Sequence, residues 1–497
     1  MTLCGGLLPY TAIFVLFIGL IEAQICPPAI QIDRKPQVFI MSDISNEPDD
    51  TMSFIRLLVH ADQYNITGLT AVTSTWLPDS VYPDQILDTV KAYGRVVDNL
   101  NTHSESEFPS EKYLESVVKA GHPVYGTEAV GRDLSSGAQH LIEVVDSLPE
   151  DEVLHCQGWG GVNVLAEALA YVQRTRAPLN ADLFVSKLRL YTISDQDNAG
   201  EYIRRHFPTI PYIVSLHGLN QYRQAAWAGI SGEKYYNFDL GGPDSSLVTE
   251  EYVAKNFQIG PLGSLYPDVE YIMEGDSPSL MHTMVNGLDG GPYDHPEWGG
   301  WGGRYILLDR TKQSMVYSDV TDAVVGKNNE TFILSQATIW RWRQAYQNEM
   351  SARIQWTVQS AYSAGSHPPV VIVNDSCGSA PVEFEVEPEE TILLDASATY
   401  DPDRNSMDNS TLQFDWFHYR DITSDEASLR HVPKLNFTLL EGGRKALTTL
   451  PTVELACDED HSTTSSRKWC ASDNEISPSD IESPASDRPR AKHEKER

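Results

Sequence analysis

The sequence predicts an α/β fold with a mostly parallel sheet flanked by helices, followed by a small β-sandwich. Two observations support this prediction. Between residues 38 and 372, apolar strand-like runs alternate with amphipathic helical segments, which is typical of parallel sheets with helices on both faces. After residues 366–369, which read Ser-His-Pro-Pro, short runs of alternating apolar and polar residues follow instead, as in β-sandwiches.

The first part of the chain supplies the strands and helices of the parallel sheet. Residues 38–41 form a short apolar run, Pro48 suits a first helical turn, and Met52, Ile55 and Leu58 follow at helical spacing. Further along, the pattern predicts strands at 68–73, 153–156 and 188–193, and helices at 86–99, 162–174 and 199–206. We expect this domain to span residues 34–365.

The second part of the chain is predicted to be a β domain at 368–450. The alternating runs that predict its strands are 370–374, 382–386, 391–395 and 412–419. No candidate for the last strands of a sandwich follows residue 431, which leaves a complete and an incomplete sandwich both open. Residues 458–497 are polar and rich in Ser and Asp, so they are predicted to be disordered.

Composition and charge limit the partners. A chain of 497 residues with 41% hydrophobic residues can form two domains with substantial cores. The net charge of −33 argues against nucleic acid as a partner, because the phosphate backbone would be repelled. Apart from the N-terminal run, no segment is long and apolar enough to span a bilayer, and none is a basic amphipathic stretch. The oligomeric state does not follow from the sequence.

The N-terminus predicts secretion. Residues 11–21 are mostly apolar and Glu22-Ala23 follow, so residues 1–23 are predicted to be a signal peptide. The positive residues that usually precede such a run are missing, which leaves a retained anchor as the alternative. Five Asn-x-Ser/Thr sequons favour a glycosylated extracellular protein; they begin at Asn65, Asn329, Asn374, Asn409 and Asn436. Five cysteines follow the signal, enough for one or two disulfides.

Four acids within eight residues follow the first predicted strand, namely Asp43, Glu47, Asp49 and Asp50. The carboxyl end of a strand is where open α/β sheets bind ligands. These acids repel one another unless a cation or a hydroxyl-rich ligand joins them, and their hard oxygen donors suit Ca²⁺ or Mg²⁺. The alternative is structural, because acids in a first helical turn are also favoured by capping and by the macrodipole.

The acidic stretch and several other segments resemble the nucleoside hydrolase-like domain of the secreted "cellulose-binding" proteins of bacteria and fungi. That group is a divergent branch of the inosine–uridine nucleoside hydrolase superfamily. The similar segments are 43–50, 68–76, 157–166, 191–200, 274–280 and 294–305, and together they cover about residues 34–365. Segments 394–403 and 414–416 resemble the immunoglobulin-like C-terminal module of the same family.

This resemblance implies a Ca²⁺-dependent hydrolase that acts on N-glycosyl or related glycosidic bonds of a carbohydrate or nucleoside-like molecule. Asp50 matches the bidentate metal ligand, and Asp49 matches a ligand of both the metal and the ribose hydroxyls. Asp276 is the candidate for the late metal ligand. Gly158, or the neighbouring Gln157, would supply a backbone carbonyl to the metal. Asn198 is expected to reach the sugar.

One residue departs from the pattern of the true hydrolases. Their general base aligns with Ser45, and a serine hydroxyl is too weak a base to replace it. Glu47 or Asp43 would then serve as the base. Otherwise the protein binds carbohydrate, such as cellulose, without hydrolysing it, and this non-catalytic reading is the alternative function.

Aromatic and basic residues complete the candidate site. Trp159, Trp298 and Trp301 lie in Gly-rich loops, where they either stack on a sugar or anchor the loops in the core. His295 is the first candidate for protonating a leaving group, ahead of two other histidines, His217 and His282. Arg304 is expected to form a structural salt bridge more readily than to bind an anionic ligand.

Overall fold

The computed structural model describes residues 35–237, 241–286, 288, 295–377, 382–404, 412–423, 433–452 and 455. The predicted signal peptide at 1–23, the tail at 458–497 and the sequon at Asn409 lie outside these residues. The described residues form two compact units, the first with residues up to Glu383 and Leu394–Phe414, the second with Phe384–Leu393 and residues from Asp415 onward. The boundaries 34–365 and 368–450 stay a prediction.

An eight-stranded sheet organises the first unit. Its strands are β1 Gln37–Ser42, β2 Asn65–Ala71, β3 Val118–Ala120, β4 Leu154–Gly158, β5 Leu188–Ser194, β6 Tyr212–Ser215, β7 Tyr305–Leu307 and β8 Val316–Asp319. The order across the sheet is β3-β2-β1-β4-β5-β6-β8-β7. All neighbours are parallel except β7, which pairs with β8 antiparallel. The predicted α/β class is therefore confirmed.

Helices cover both faces of this sheet. They are α1 Asp49–Val59, α2 Pro83–Gly94, α3 Val97–Asn101, α4 Glu111–Val117, α5 Ser136–Ser147, α6 Asn163–Thr175, α7 Pro178–Ser186, α8 Ala199–His206, α9 Gly232–Tyr235, α10 Glu250–Asn256, α11 Gly260–Gly263, α12 Ser277–Met281, α13 Ala337–Trp340 and α14 Arg343–Trp356. The helix predicted at 86–99 is instead two helices, because α2 ends at Gly94 and glycine is a poor helix former. No described helix combines the length and the apolar character that crossing a bilayer requires.

The alternation of side chains along β1 divides the core into two layers. Val38 and Ile40 pack into the layer covered by α1, α2 and α14, whereas Phe39 and Met41 pack into the layer covered by α5, α6 and α8. Both layers are apolar, as a strand buried on both faces requires. The polar residues after Ser42 therefore emerge at the sheet edge rather than within a layer.

The later strands are short and antiparallel. They are β9 Asp322–Val325, β10 Thr331–Leu334, β11 Ile372–Val373, β12 Ser376–Cys377, β13 Thr391–Asp395, β14 Thr438–Leu440 and β15 Lys445–Thr449. They pair as β10-β9, β11-β12 and β13-β15-β14, so the C-terminal region is a small β domain. The strands predicted at 382–386 and 412–419 are wrong. These residues form no ladder within the described part of the chain, and an alternating pattern without a paired neighbour does not make a strand.

Candidate active site

The acidic loop lies where β1 ends. Asp43 follows the last residue of β1, and Asp49 and Asp50 form the first turn of α1. These three carboxyl-bearing residues are only 3%, 8% and 3% exposed. Capping and the helix macrodipole favour acids at a solvated helix start, but neither effect compensates for removing three carboxylates from water. Capping and the macrodipole alone therefore do not offset the burial of these acids.

A fourth buried acid joins the loop from a distant part of the chain. Asp276 directly precedes α12 and is 4% exposed. One carboxylate oxygen each of Asp49, Asp50 and Asp276 lies within 4.8 Å of the others. The approach depends on Gly275, because a Cβ atom there would lie 2.5 Å from Asp49 Oδ2. The three carboxylates are thus close enough together to bind a single cation.

The electrostatics of this cluster are unfavourable without a counter-charge. Burial raises the pKa of Asp49 to about 8, and the charges of Glu47 and Asp43 add to the effect. Burial and the neighbouring acids also raise the pKa values of Asp50 and Asp276 well above their ordinary range. In the described part of the chain, no lysine or arginine forms an ion pair with these acids.

A divalent cation fits these residues. Asp276 Oδ2 is buried and has no hydrogen-bond partner, and Asp50 accepts a hydrogen bond from Ser42 on one oxygen. Three hard oxygen donors and an unsatisfied carboxylate oxygen match the preference of Ca²⁺ or Mg²⁺. Gly158 ends β4 directly beside Met41 of β1, which brings it to the same edge of the sheet.

Asp43 lies beside this cluster in a different setting. Its carboxylate accepts a hydrogen bond from the Ser74 hydroxyl, and Gly160 packs so closely that a Cβ atom there would lie 2.7 Å from Asp43 Oδ1. Burial raises the pKa of Asp43 to about 6, while the Ser74 hydrogen bond opposes the shift. Asp43 therefore titrates closer to neutral pH than an ordinary aspartate does.

Ser45 is exposed and hydrogen-bonded to α2 rather than to the acids. Its backbone has φ 91°, a left-handed conformation that is uncommon for a non-glycine residue. Its hydroxyl accepts a hydrogen bond of 2.9 Å from Gln85 on α2, and the residue is exposed. Glu47 is half-buried, and burial followed by the charge of Glu270 raises its pKa.

The ends of β4 and β5 complete the floor of the site. The Trp159 carbonyl accepts a hydrogen bond from Gln196. Asp197 is buried, accepts hydrogen bonds from the Val162 and Ala199 amides, and has a pKa raised to about 7 by burial. Asn198 is exposed and accepts a hydrogen bond of 2.8 Å from the Thr127 amide, so its carbonyl oxygen is engaged by a loop.

Two tyrosines that sequence reasoning missed border the acids. Burial, followed by nearby charges that include Asp49 and Asp276, raises the pKa values of Tyr222 and Tyr236. Both rings contact Trp227, with centroids 5.1 Å and 6.3 Å away. They lie in a stretch of short helical turns without clear periodicity, so no sequence signal indicated them.

Comparison with known proteins identifies the family of this chain. The profile of a family described as cellulose-binding Sde182, nucleoside hydrolase-like domain, matches residues 37–305, and the profile of the cellulose-binding protein Sde0182 C-terminal domain matches residues 391–465. The first match covers more than half of the chain. This protein belongs to the cellulose-binding Sde182 family.

Two solved structures align with this chain. A nucleoside hydrolase-related protein from Saccharophagus degradans, described as associated with carbohydrate metabolism, superposes with a TM-score of 0.66 at 28% identity. The match covers 84% of this chain and 92% of the other. The effector protein XOO4466 aligns over 66% of this chain and 95% of its own with a TM-score of 0.32 at 11% identity. No functionally curated protein matches the chain in sequence.

The remaining candidate residues of this family member do not all gather at the acids. Trp159 is 1% exposed and donates its indole N–H to Ser279, and Trp301 is 9% exposed, so both anchor loops. Trp298 is 37% exposed and stacks on His295 at 4.1 Å. His295 in turn lies 2.9 Å from Glu297. Among the described residues, no hydrogen bond, ion pair or ring contact joins this exposed stack to the acidic cluster.

Two further basic candidates have different surroundings. Arg304 donates to Asp322 at 2.7 Å and is buried, as expected for a structural salt bridge. The ring of His217, by contrast, lies 5.5 Å from the ring of Tyr222. Its Nδ1 is buried without a hydrogen-bond partner, and burial lowers its pKa. His217 is thus in contact with Tyr222, whereas His282 packs against Tyr191 and His295 stacks on Trp298.

Proposed function

We propose that this protein is a secreted, Ca²⁺-dependent hydrolase that cleaves N-glycosyl or related glycosidic bonds. The observation that carries the proposal is the convergence of the Asp49, Asp50 and Asp276 carboxylates, which form no ion pair with a lysine or arginine among the described residues. A bound cation would compensate for their charge. It would supply a polarised water and an anchor for sugar hydroxyls. Gly158 and Asn198 remain candidates for a carbonyl ligand and a sugar contact.

Asp43 is the residue that we favour as the general base, in place of the acid that is missing at Ser45. An attacking water must lose a proton as the bond from the anomeric carbon to the leaving group breaks, and a base works best when its pKa lies near the working pH. Asp43 meets this requirement, since its pKa is about 6. The Ser45 hydroxyl is engaged by Gln85 and faces solvent. Glu47 stays the second candidate, because it is only half-buried.

Protonation of the leaving group needs a second residue. His217 has an unpartnered buried nitrogen next to Tyr222 and is our candidate for this role. Because burial lowers its pKa, it would have to take up a proton when the ligand binds. Tyr222 and Tyr236 offer aromatic surfaces for a sugar or base, because apolar sugar faces stack well on aromatic rings. His295 could act only if a ligand reached the exposed stack that it forms with Trp298.

A second candidate function is carbohydrate binding without hydrolysis. Trp76, Tyr82 and Tyr271 are between 41% and 50% exposed, and each is close to the acidic loop. The Trp76 amide donates to Ser74, the partner of Asp43. Tyr82 precedes the helix that carries Gln85, and Tyr271 is next to Glu270 in sequence. Together with the family's description as cellulose-binding, this exposed aromatic rim favours an extended glycan ligand.

The predicted signal peptide and the acceptor asparagines support an extracellular location. Four of the five sequon asparagines are within the described residues, and all four are exposed. Exposure is required for an oligosaccharide to be attached. Nucleic acid stays excluded as a partner on charge grounds.

The deciding experiment measures reducing-sugar release from a panel of nucleosides and oligosaccharides, with Ca²⁺ and with chelator. We expect Ca²⁺-dependent release that falls by about 100-fold or more in Asp43→Asn, as for loss of a general base. Glu47→Gln is the matched control and should lose less than about tenfold. Absence of release together with retained oligosaccharide binding would overturn hydrolysis and favour the binding function, which Trp76→Ala should then weaken.

A further inference from the structure

A buried ion pair joins the two segments that carry the candidate cation ligands. Arg56 lies on α1 beyond Asp50, and Glu274 lies two residues before Asp276. Both side chains are fully buried. Arg56 donates from Nε and from Nη2 to the two carboxylate oxygens of Glu274. The pair therefore links α1 to the turn that presents Asp276.

The hydrogen bonds of Glu274 are saturated. Besides Arg56, Tyr266 donates to Glu274 Oε1 at 2.7 Å, and the Ser277 hydroxyl lies 2.8 Å from Oε2. A carboxylate has about four acceptor positions, and all are used here. Arg56 is held in turn by Gln347 at 2.8 Å. Glu274 thus has no oxygen left to offer a ligand, which separates it from the unpartnered Asp276.

The backbone at Glu274 is held in an unfavourable conformation. Its φ is 55°, in the left-handed region that non-glycine residues rarely adopt. The next residue, Gly275, packs against Asp49 with no room for a side chain. A turn of this kind persists only where its surroundings enforce it. The hydrogen bonds that Arg56 donates to the Glu274 carboxylate are contacts that can hold the turn at Glu274 in this conformation.

We propose that Arg56 and Glu274 are positioning residues for the cation site. The pair fixes the turn at residues 274–276 against α1 and so sets the separation of Asp276 from Asp49 and Asp50. It acts through Asp276 and does not touch the ligand. This inference rests on the cation site of the proposed function, and it assigns a role there to a pair that would otherwise be purely structural.

The segment that follows α1 offers a matched control. Asp62 follows the far end of α1, is buried, and accepts a hydrogen bond of 2.8 Å from Arg353. Its second oxygen accepts a hydrogen bond from Ser104. Asp62→Asn therefore perturbs a buried arginine–carboxylate pair as Glu274→Gln does, but away from the acidic cluster. A general loss of stability would affect both variants, whereas a positioning role affects only one.

The test is calorimetric titration of the full chain with Ca²⁺ at a temperature where each variant is folded, together with thermal unfolding in chelator. We expect Glu274→Gln to raise the Ca²⁺ Kd by about tenfold or more, as for residues that orient metal ligands. Asp62→Asn should lower the unfolding midpoint but change the Kd by less than about twofold. Tyr266→Phe removes a single hydrogen bond to Glu274 and should give a Kd between these two values.

Four outcomes would contradict the inference. A Kd for Glu274→Gln within about twofold of wild type would overturn it, as would an equal rise in Kd for Asp62→Asn. If Glu274→Gln does not fold, an unchanged Kd in Tyr266→Phe would overturn it. If the wild-type chain itself binds no Ca²⁺, the cation site of the proposed function fails and the inference falls with it. Binding by wild type with normal binding by the variants removes the positioning role alone.

Discussion

Buried carboxylates occur in two regions of this protein, and their surroundings differ. Three arginines on α1 and α14 each pair with a buried acid from another segment; the pairs are Glu274–Arg56, Glu233–Arg343 and Asp62–Arg353. At the carboxyl edge of the sheet, Asp43, Asp49, Asp50 and Asp276 meet hydroxyl groups and one another. The same residue type is therefore compensated in one region and uncompensated in the other.

The difference indicates which region is built for a ligand. A buried carboxylate with a well-oriented arginine roughly offsets its own desolvation, so the helix pairs need nothing further. A buried carboxylate that has no cationic partner must either stay protonated or bind a cation. Clusters of such groups occur preferentially at functional sites. The raised pKa values at the sheet edge are the signature of this deficit.

The largest expected effect comes from making the compensated region resemble the uncompensated one. Arg343→Met leaves Glu233 buried without its partner and should lower the free energy of unfolding by about 3–5 kcal/mol. Denaturant unfolding measures the change. Arg205→Met is the control, because its ion pair with Glu201 is exposed and should contribute less than about 1 kcal/mol. Equal losses in the two variants would contradict the argument.

The second prediction changes the uncompensated region in the opposite direction. Asp50→Asn removes one of four mutually repelling acids, so in chelator the variant should be more stable than wild type by about 1 kcal/mol. The same change should weaken Ca²⁺ binding by about 100-fold. Thermal unfolding with and without Ca²⁺ measures both effects. A variant that is less stable in chelator, or that keeps the wild-type shift with Ca²⁺, would count against the cluster.

The third prediction concerns pH. The pKa of Asp49 is raised from 3.8 to about 8 in the folded state, so its stabilising contribution is complete below pH 4 and is lost as the pH rises through 8. Metal-free protein should therefore lose on the order of 2 kcal/mol of stability between pH 5 and pH 8. Asp49→Asn cannot titrate and should lose less. Identical pH profiles for the two proteins would refute the assignment.

The smallest expected effect tests whether Ser45 belongs to the cluster at all. Glycine adopts φ 91° with little strain, so Ser45→Gly should raise the free energy of unfolding by about 0.5 kcal/mol. Ser45→Ala keeps the strain and loses the same hydroxyl, and it should not stabilise. Calorimetric titration should show Ca²⁺ affinity within about twofold of wild type in both. A larger change in affinity would mean that Ser45 contributes to the site.

The sequence alone was sufficient to predict the fold class and the position of the acidic loop, which contributes Asp43, Asp49 and Asp50 to the candidate site. Short-range patterns predicted the strand before Asp43 and the helix after Pro48. They also predicted the helix at 199–206 with its observed bounds. These features depend on neighbouring residues and on periodic burial, both of which are written locally in the chain. The C-terminal strands at 382–386 and 412–419 failed, because strand formation requires partners that a local pattern does not supply.

The tertiary structure decided the chemistry of the site. It brought Asp276 to Asp49 and Asp50, directed Ser45 towards Gln85, and buried Trp159. The sequence could rank Asp43 and Glu47 only as alternatives, and our preference for Asp43 as the base rests on its deeper burial, its pKa of about 6 and its hydrogen bond from Ser74. Burial and Coulomb interactions depend on distances between residues that are remote in the chain, and only the folded arrangement fixes those distances.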